Sequence, residues 1–495
     1  MSRKLPIFYS ALLLTGVNLF LRMVGTSFQV YLSGTIGPEG IGLLQLILSV
    51  GSMSLVAGMA GIRTATMYLT AEEIGRRKPQ NTIWVLSGCL LYSILISFCI
   101  ATAVYVFAPQ IADYWIGNST VTDVLRLFSA FLPVNCFCGV MIGYFTGANK
   151  IGTLAAVEIT EQFCSMIITI ILLQLWAKHD PVRSCHAVVL GSGIGACVTL
   201  ACLVILRIRE RGAIAQKIPL YSRLCHTAIP LAIADDLRTG ISTLENLIVP
   251  KRLALFPGSG SPLADFGTVC GMVFPILTFP MALLFGLTEL LIPELARCNA
   301  AGSKERIEYL VKRSLRIALI FGAVCTAILY LIAEPLCERL YPATNAGKYL
   351  KWFAPLAIML YCDAVTDAMI KGLGQQKASV RYNILTNSMD VTFLYLLLPH
   401  YGIWGYFISF TVTHVINFFL SIRRLLQISE IKISIKYAVF SIISVGITII
   451  TCSFLNNTAI KVFAAAIIMC CLFTLFGITG KEDLYWILRL IRNKK

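Results

Sequence analysis

Charge is scarce in this sequence. Of its 495 residues only 13% are Asp, Glu, Lys or Arg, and histidine occurs five times. A water-facing surface needs more charge than that, which excludes a soluble globular domain. No Walker loop occurs. Gly191-Ser192-Gly193-Ile194-Gly195 resembles part of a nucleotide fingerprint, but it follows no strand and lies in an apolar run. Small residues for close helix packing account for it better. The seventeen cysteines sit mostly inside apolar runs, among them Cys89, Cys99, Cys164, Cys197, Cys202 and Cys325. Cys136/Cys138 and Cys470/Cys471 lack histidine at metal-ligand spacing. These thiols read as small buried hydrophobes, so neither a metal site nor a disulfide-stapled exterior is expected. The start lacks a small-residue cleavage site, and its apolar run is too long for a signal peptide. It reads as an uncleaved first span. The loops are too short for a catalytic domain, so the expectation is a protein that is not an enzyme and carries no cofactor.

What the sequence has is apolar length: 57% of residues are hydrophobic. Runs of membrane-crossing length recur from end to end, which predicts an all-α polytopic membrane protein. Fourteen spans are expected, at roughly 7–32, 41–68, 82–108, 123–146, 152–177, 185–207, 222–250, 266–293, 308–333, 347–370, 380–399, 402–422, 436–455 and 458–480. Most of the 41 lysines and arginines fall in every second connection, such as Arg76-Arg77-Lys78 and 304–316. The alternate connections hold turn residues, acids and few bases. The net charge of +16 therefore reads as a topology signal rather than a nucleic-acid footprint. It places both termini in the cytoplasm.

The two halves repeat. Asn18-x-x-x-Arg22-x-x-Gly25 in the first span has a counterpart in Asp235-Asp236-x-Arg238-Thr239-Gly240 in the seventh. Gly61-Ile62-Arg63 pairs with Gly286-Leu287-Thr288-Glu289. Phe131-Leu132-Pro133 followed by Gly147-x-x-Lys150 pairs with Phe353-Ala354-Pro355 followed by Gly374-x-x-Lys377. Parallel repeats predict two six-helix lobes about a central cavity, 1–216 and 217–430, with 431–480 as two added spans and 481–495 as a basic amphipathic tail on the inner leaflet.

Arginine inside such a helix is costly, about 2.5–3.5 kcal/mol at the bilayer centre. At 100° per residue Thr15, Asn18, Arg22, Gly25, Thr26, Gln29 and Ser33 share one face, and Asp235, Arg238, Thr239, Ser242, Glu245 and Asn246 share another. Two such stripes predict a wet cavity with cationic sites. Packing against backbone carbonyls, and a self-neutralised Asp235–Arg238 pair, are the plainer alternatives. With Arg63 there are three guanidinium groups, whose fork fits phosphate oxygens. The candidate substrate-binding set is Arg22, Arg63, Arg238, Asn18, Gln29 and Asn246. Asp235, Asp236 and Glu245 are candidates to compete for the arginines, and the deep acids Glu289 and Asp390 for coupling to a proton, to sodium or to the membrane potential. Glu158/Glu161 and Asp363/Asp367 read as half-solvated acids near helix ends, and His414 as a helix-contact residue. Pro230, Pro275 and Pro280 mark bent helices that can act as hinges. Gly139-x-x-x-Gly143-x-x-x-Gly147 gives the fourth span a smooth packing face.

Arg22-x-x-Gly25, Gly34-x-x-Gly37-Pro38-Glu39-Gly40-Ile41-Gly42-Leu43-Leu44-Gln45, Gly61-Ile62 and Thr70-Ala71-Glu72, together with fourteen spans in two lobes, resemble the multidrug/oligosaccharidyl-lipid/polysaccharide exporter superfamily. The branch resembled is that of stage V sporulation protein B and the polysaccharide-biosynthesis flippases. A monomeric transporter is expected, and the resemblance implies that it works by alternating access, moving an undecaprenyl-pyrophosphate-linked oligosaccharide or peptidoglycan precursor across the plasma membrane of a bacterium. The implied partners are that anionic lipid-linked glycan and membrane lipids, with no nucleic acid. Peptidoglycan-precursor flippases carry an arginine where Arg22 stands and commonly follow it with an Arg-Asp pair. Here those positions are Phe28 and Gln29, which favours the sporulation or polysaccharide branch. A cation-coupled drug exporter of the same fold is the alternative; it would favour an acidic cavity, and the arginines speak against it.

Overall fold

The computed structural model describes residues 4–76, 79–177, 180–209, 221–258, 260–431 and 436–478. The tail at 481–495 lies outside the described residues, as do the side chains of Asn18, Pro230 and Glu289. The described chain is nearly all helix and contains no strand. Its helices are α1 (Lys4–Met59), α2 (Ile62–Gly75), α3 (Thr82–Gln110), α4 (Thr122–Gly147), α5 (Ile151–Leu172), α6 (Pro181–Arg209), α7 (Tyr221–Leu253), α8 (Pro262–Gly267), α9 (Phe274–Thr278), α10 (Met281–Ala300), α11 (Lys304–Leu340), α12 (Ala346–Phe353), α13 (Ala357–Gly372), α14 (Gln376–Tyr401), α15 (Ile403–Ser429), α16 (Lys436–Ser453) and α17 (Thr458–Leu475).

These elements map onto the fourteen expected spans. α1 holds two arms, joined at Gly37, whose φ of 83° an L side chain rarely adopts and whose successor is Pro38. Ten described helices are long and apolar enough to cross a membrane, the first of them carrying both arms. α8 to α10 form a further span bent by 58° between Thr278 and Met281, beside the expected hinge prolines Pro275 and Pro280. α7 and α14 fall short of the apolar test because each carries a polar stripe, Asp235 to Asn246 in one and Lys377 to Asp390 in the other. One boundary differs from expectation. The second span does not run as unbroken helix over 41–68; positive φ at Ala60 and Gly61 ends α1 before α2 begins at Ile62.

The repeat is visible in the helix caps. After α4, the amide of Lys150 bonds the carbonyl of Phe145 at 2.9 Å around Asn149, which has φ 57°. After α13, the amide of Gln375 bonds the carbonyl of Ile370 at 3.0 Å around Gly374, with φ 79°. These are the same left-handed cap. They align Asn149 with Gly374, two residues from the Gly147–Gly374 match read in the sequence. Asparagine and glycine are the residues that tolerate this conformation, so the equivalence is chemical although the letters differ.

The chain packs as two compact units, one of Met1–Gly267 with Leu394–Pro399 and one of Thr268–Phe393 with His400–Lys495. In the first, the glycine face of α4 lies on α2. A Cβ on Gly143 would come within 2.4 Å of the Arg63 carbonyl oxygen, and one on Gly147 within 2.5 Å of that of Met67. Ile62, Ala65, Leu69, Val85, Val140, Tyr144, Leu224 and Ala228 form one buried cluster there, which ties α2, α3, α4 and α7 together. In the second, Phe353 and Phe274 pack edge-to-face with ring centres 5.4 Å apart, and the Tyr361 hydroxyl donates to the Leu277 carbonyl at 2.7 Å.

Candidate functional site

The helices carrying Arg22, Arg63 and Arg238 all belong to the first unit. On α2, Ile62, Ala65, Thr66, Leu69, Thr70 and Glu73 are buried. Their spacing turns one face into the core and leaves Arg63, Thr64, Met67 and Tyr68 exposed on the other. Arg22 is exposed on the first arm of α1, and Thr26 one turn later returns its hydroxyl to the Arg22 carbonyl at 2.9 Å. That arm lies along α5. A Cβ on Gly25 would stand 3.7 Å from Gln162 Nε2, and the Phe20 and Phe163 rings are 6.4 Å apart. Glu158 lies one turn before Gln162 on α5. Arg63 acts electrostatically on that same Glu158. Glu158, half-buried near the start of α5 as expected, thus also feels Arg63. Glu161 is tied away from it, accepting from Thr199 Oγ1 at 2.8 Å.

Two contacts fix α7. Thr243 Oγ1 donates to the Ser49 carbonyl at 3.1 Å, and Asn246 Nδ2 donates to Ser49 Oγ at 2.9 Å. Nearer its start, Leu224 and Ala228 share the buried cluster of Ile62 and Leu69. α7 thus runs antiparallel to the second arm of α1 and to α2. Arg238 lies between the two contact points, exposed, with Asp235 exposed one turn earlier. Asn246, expected at a binding surface, has its amide engaged in this helix contact. Asp236 has a buried carboxylate oxygen without a hydrogen-bond partner, and so does the buried Gln29 amide nitrogen. Unsatisfied polar atoms of this kind are costly and mark places where a ligand, water or movement completes the bonding. Glu245 is half-buried on the same helix.

A second polar cluster lies inside the other unit, among α13, α14 and α15. Asp390 is only 7% exposed. Its Oδ1 accepts from Ser409 Oγ at 2.5 Å and from Thr413 Oγ1 at 3.2 Å. Asn417 Nδ2 donates to Asp363 Oδ2 at 2.9 Å, while Thr386 Oγ1 donates to Asn417 Oδ1 at 3.4 Å. The other Asp363 oxygen is buried without a partner. Asp367 meets Lys371 at 2.6 Å and also accepts from Ser379. Asp363, half-buried, joins an oxygen-rich network whose other members Thr386, Asp390, Ser409, Thr413 and Asn417 are buried. The His414 ring is tilted 55° against that of Phe410, with centres 4.1 Å apart. Among the described residues no group of three or more His, Cys, Asp and Glu has metal-binding geometry.

Sequence reasoning missed Ser49, Gln162 and Asn417 as positioning residues. Each meets a segment far along the chain: Ser49 meets Thr243 and Asn246, Asn417 meets Asp363, and Gln162 lies beside Gly25.

Comparison with known proteins agrees with this architecture. The MatE family matches residues 15–175 and 260–396. Stage V sporulation protein B of Bacillus subtilis is 21% identical over 463 residues, covering 91% of this chain and 88% of that protein. Lipid II flippase MurJ of Bacillus subtilis is 22% identical over 404 residues, covering 72% and 71%. A solved structure titled as lipid II flippase MurJ in an inward closed conformation shares the fold with a TM-score of 0.69 at 14% identity, covering 96% of this chain and 99% of that one.

Proposed function

The chain belongs to the MatE family, in the multidrug/oligosaccharidyl-lipid/polysaccharide exporter superfamily, and we propose that within it this protein is a flippase for an undecaprenyl-pyrophosphate-linked oligosaccharide or peptidoglycan precursor. One observation carries the reading: Arg22, Arg63 and Arg238 lie exposed on three helices of a single membrane-embedded unit. Guanidinium groups in a water-poor setting need anionic partners, and pyrophosphate offers oxygens at the spacing of their forks. A drug exporter for organic cations has no use for three such groups.

In this reading the arginines capture the pyrophosphate, and the lipid chain stays in the bilayer while the head group crosses by alternating access. Asp235, Asp236 and Glu158 compensate the arginines in the empty carrier and are displaced by the phosphates. Asp390, with Ser409 and Thr413, is the place where a proton or sodium ion couples to the cycle. The membrane potential adds about 2.3 kcal/mol per charge moved through 100 mV. Both termini are cytoplasmic, and the site is the plasma membrane of a bacterium during sporulation cell-wall or polysaccharide synthesis. Native mass spectrometry of the protein purified in mild detergent tests the substrate class. A retained polyprenyl-pyrophosphate glycan, lost in the Arg22→Ala variant, is the expected result. Retention of an organic cation instead would assign the drug-exporter function.

A further inference from the structure

The first unit carries a groove that the arginine site does not use. It lies between the second arm of α1 and α3 and has a volume of about 460 Å³. Its lining is almost wholly apolar, with Met53, Ala57, Ala103, Phe107, Tyr114 and Trp115 as the main walls. The groove runs to the end of α3, where the chain passes through the wide turn Ile111–Ile116. Tyr114 and Trp115 stand exposed on that turn. Ring systems with one polar edge settle at the membrane–water boundary, so the groove starts at the interface and leads into hydrocarbon.

The lip of the groove is charged. Lys251, at the end of α7, donates a hydrogen bond to the Tyr114 carbonyl. An ammonium group has three N–H donors, and this contact uses one. The next residue holds the lysine in place. Arg252 stacks 3.5 Å from the centre of the Tyr395 ring, and its Nε donates to the Tyr395 carbonyl at 3.1 Å. Lys251 is thereby fixed at the mouth by its own bond and its neighbour's. Asp113, exposed beside Tyr114, puts one acid on the same rim. Arg252, its guanidinium held on Tyr395, is the neighbouring base on this rim.

We infer that this groove binds an anionic phospholipid, with one acyl chain along Ala57, Ala103 and Phe107 and the phosphate on Lys251. An apolar cleft open to a bilayer is filled by lipid in any case; the lysine at its mouth is what selects the head group. A phosphatidylglycerol head brings net negative charge to the ammonium, whereas a phosphatidylcholine head brings a trimethylammonium against it. The site is separate from the arginines and independent of what the protein translocates.

Trp115 supplies the readout. The purified protein is reconstituted in symmetric vesicles of equal parts phosphatidylglycerol and phosphatidylcholine, with one or the other lipid brominated, and fluorescence quenching is compared with that of Trp115→Phe to isolate the Trp115 signal from the other five tryptophans. Phosphatidylglycerol should associate about fivefold more strongly at Trp115, the effect of one lysine near an anionic surface. Lys251→Gln should abolish the preference, Lys251→Arg keep it and Asp113→Asn raise it. Ala57→Phe, which fills the groove, should cut the quenching of Trp115 by both lipids. Equal quenching in the wild type, a preference that survives Lys251→Gln, or quenching unaffected by Ala57→Phe would each overturn the inference.

Discussion

Replacing Gly143 by alanine should damage the arginine site without touching an arginine. The added Cβ would stand 2.4 Å from the carbonyl oxygen of Arg63, where ordinary contact begins near 3.4 Å. Backbone cannot swing aside as a side chain can, so α4 and α2 must part by about 1 Å in a close-packed interior. Overpacking of this kind costs about 1–3 kcal/mol, a fall of about 1–3 °C in melting temperature for a chain of this length. Because the atom that retreats is Arg63's own, translocation should drop with it. Gly147→Ala meets the Met67 carbonyl at 2.5 Å and should behave alike. One retreat relieves both clashes, so the double variant should cost clearly less than the sum of the singles. Gly51→Ala is the control: its Cβ meets the Phe128 ring at 2.8 Å, a side chain that can yield, on a helix face away from the arginines. Thermal melting in detergent and transport in proteoliposomes are the assays. Wild-type stability in Gly143→Ala, or equal loss of transport in Gly51→Ala, would refute the reasoning.

Two further outcomes are expected. Lys304 pairs with Glu430 at 2.8 Å on an exposed surface, and this hydrogen bond holds the Glu430 carboxyl below the usual glutamate range. A depressed carboxylate contributes stability that is present above its unfolded pKa and lost as pH falls through the folded one; Glu430→Gln should therefore melt slightly earlier than wild type near neutral pH and together with it in acid, whereas a difference that persists in acid would contradict this. Cysteines placed at Asn118 and Asn457, on a background freed of reactive native thiols, should be labelled only from outside the cell; each change also removes a helix cap, since both asparagine side chains accept backbone N–H bonds, so a stability loss of about 1 kcal/mol should accompany the labelling.

Much of the fold was legible because a bilayer imposes length and charge rules that a sequence must obey openly. The apolar runs, the alternating basic loops and the prolines beside the bend at 279–280 all follow from them. The break at Ala60–Gly61 was not legible, because positive φ at an alanine leaves no compositional mark. The site was legible as faces rather than as contacts. Periodicity showed that the first arm of α1 and α7 each turn polar residues one way, but it gave no means of finding that Asn246 meets Ser49 or that Asn417 meets Asp363. Those pairings depend on helix register across long separations. Glu158 was underread for the same reason, since its proximity to Arg63 exists only once α2 and α5 are packed in one unit.

Translocation itself tests the central claim most directly. In proteoliposomes loaded with a fluorescent polyprenyl-pyrophosphate glycan, the wild-type protein should expose the head group to an external probe within the assay. Arg22→Ala and Arg238→Ala should reduce this at least tenfold while eluting as folded protein. Wild-type translocation by both variants would contradict the account.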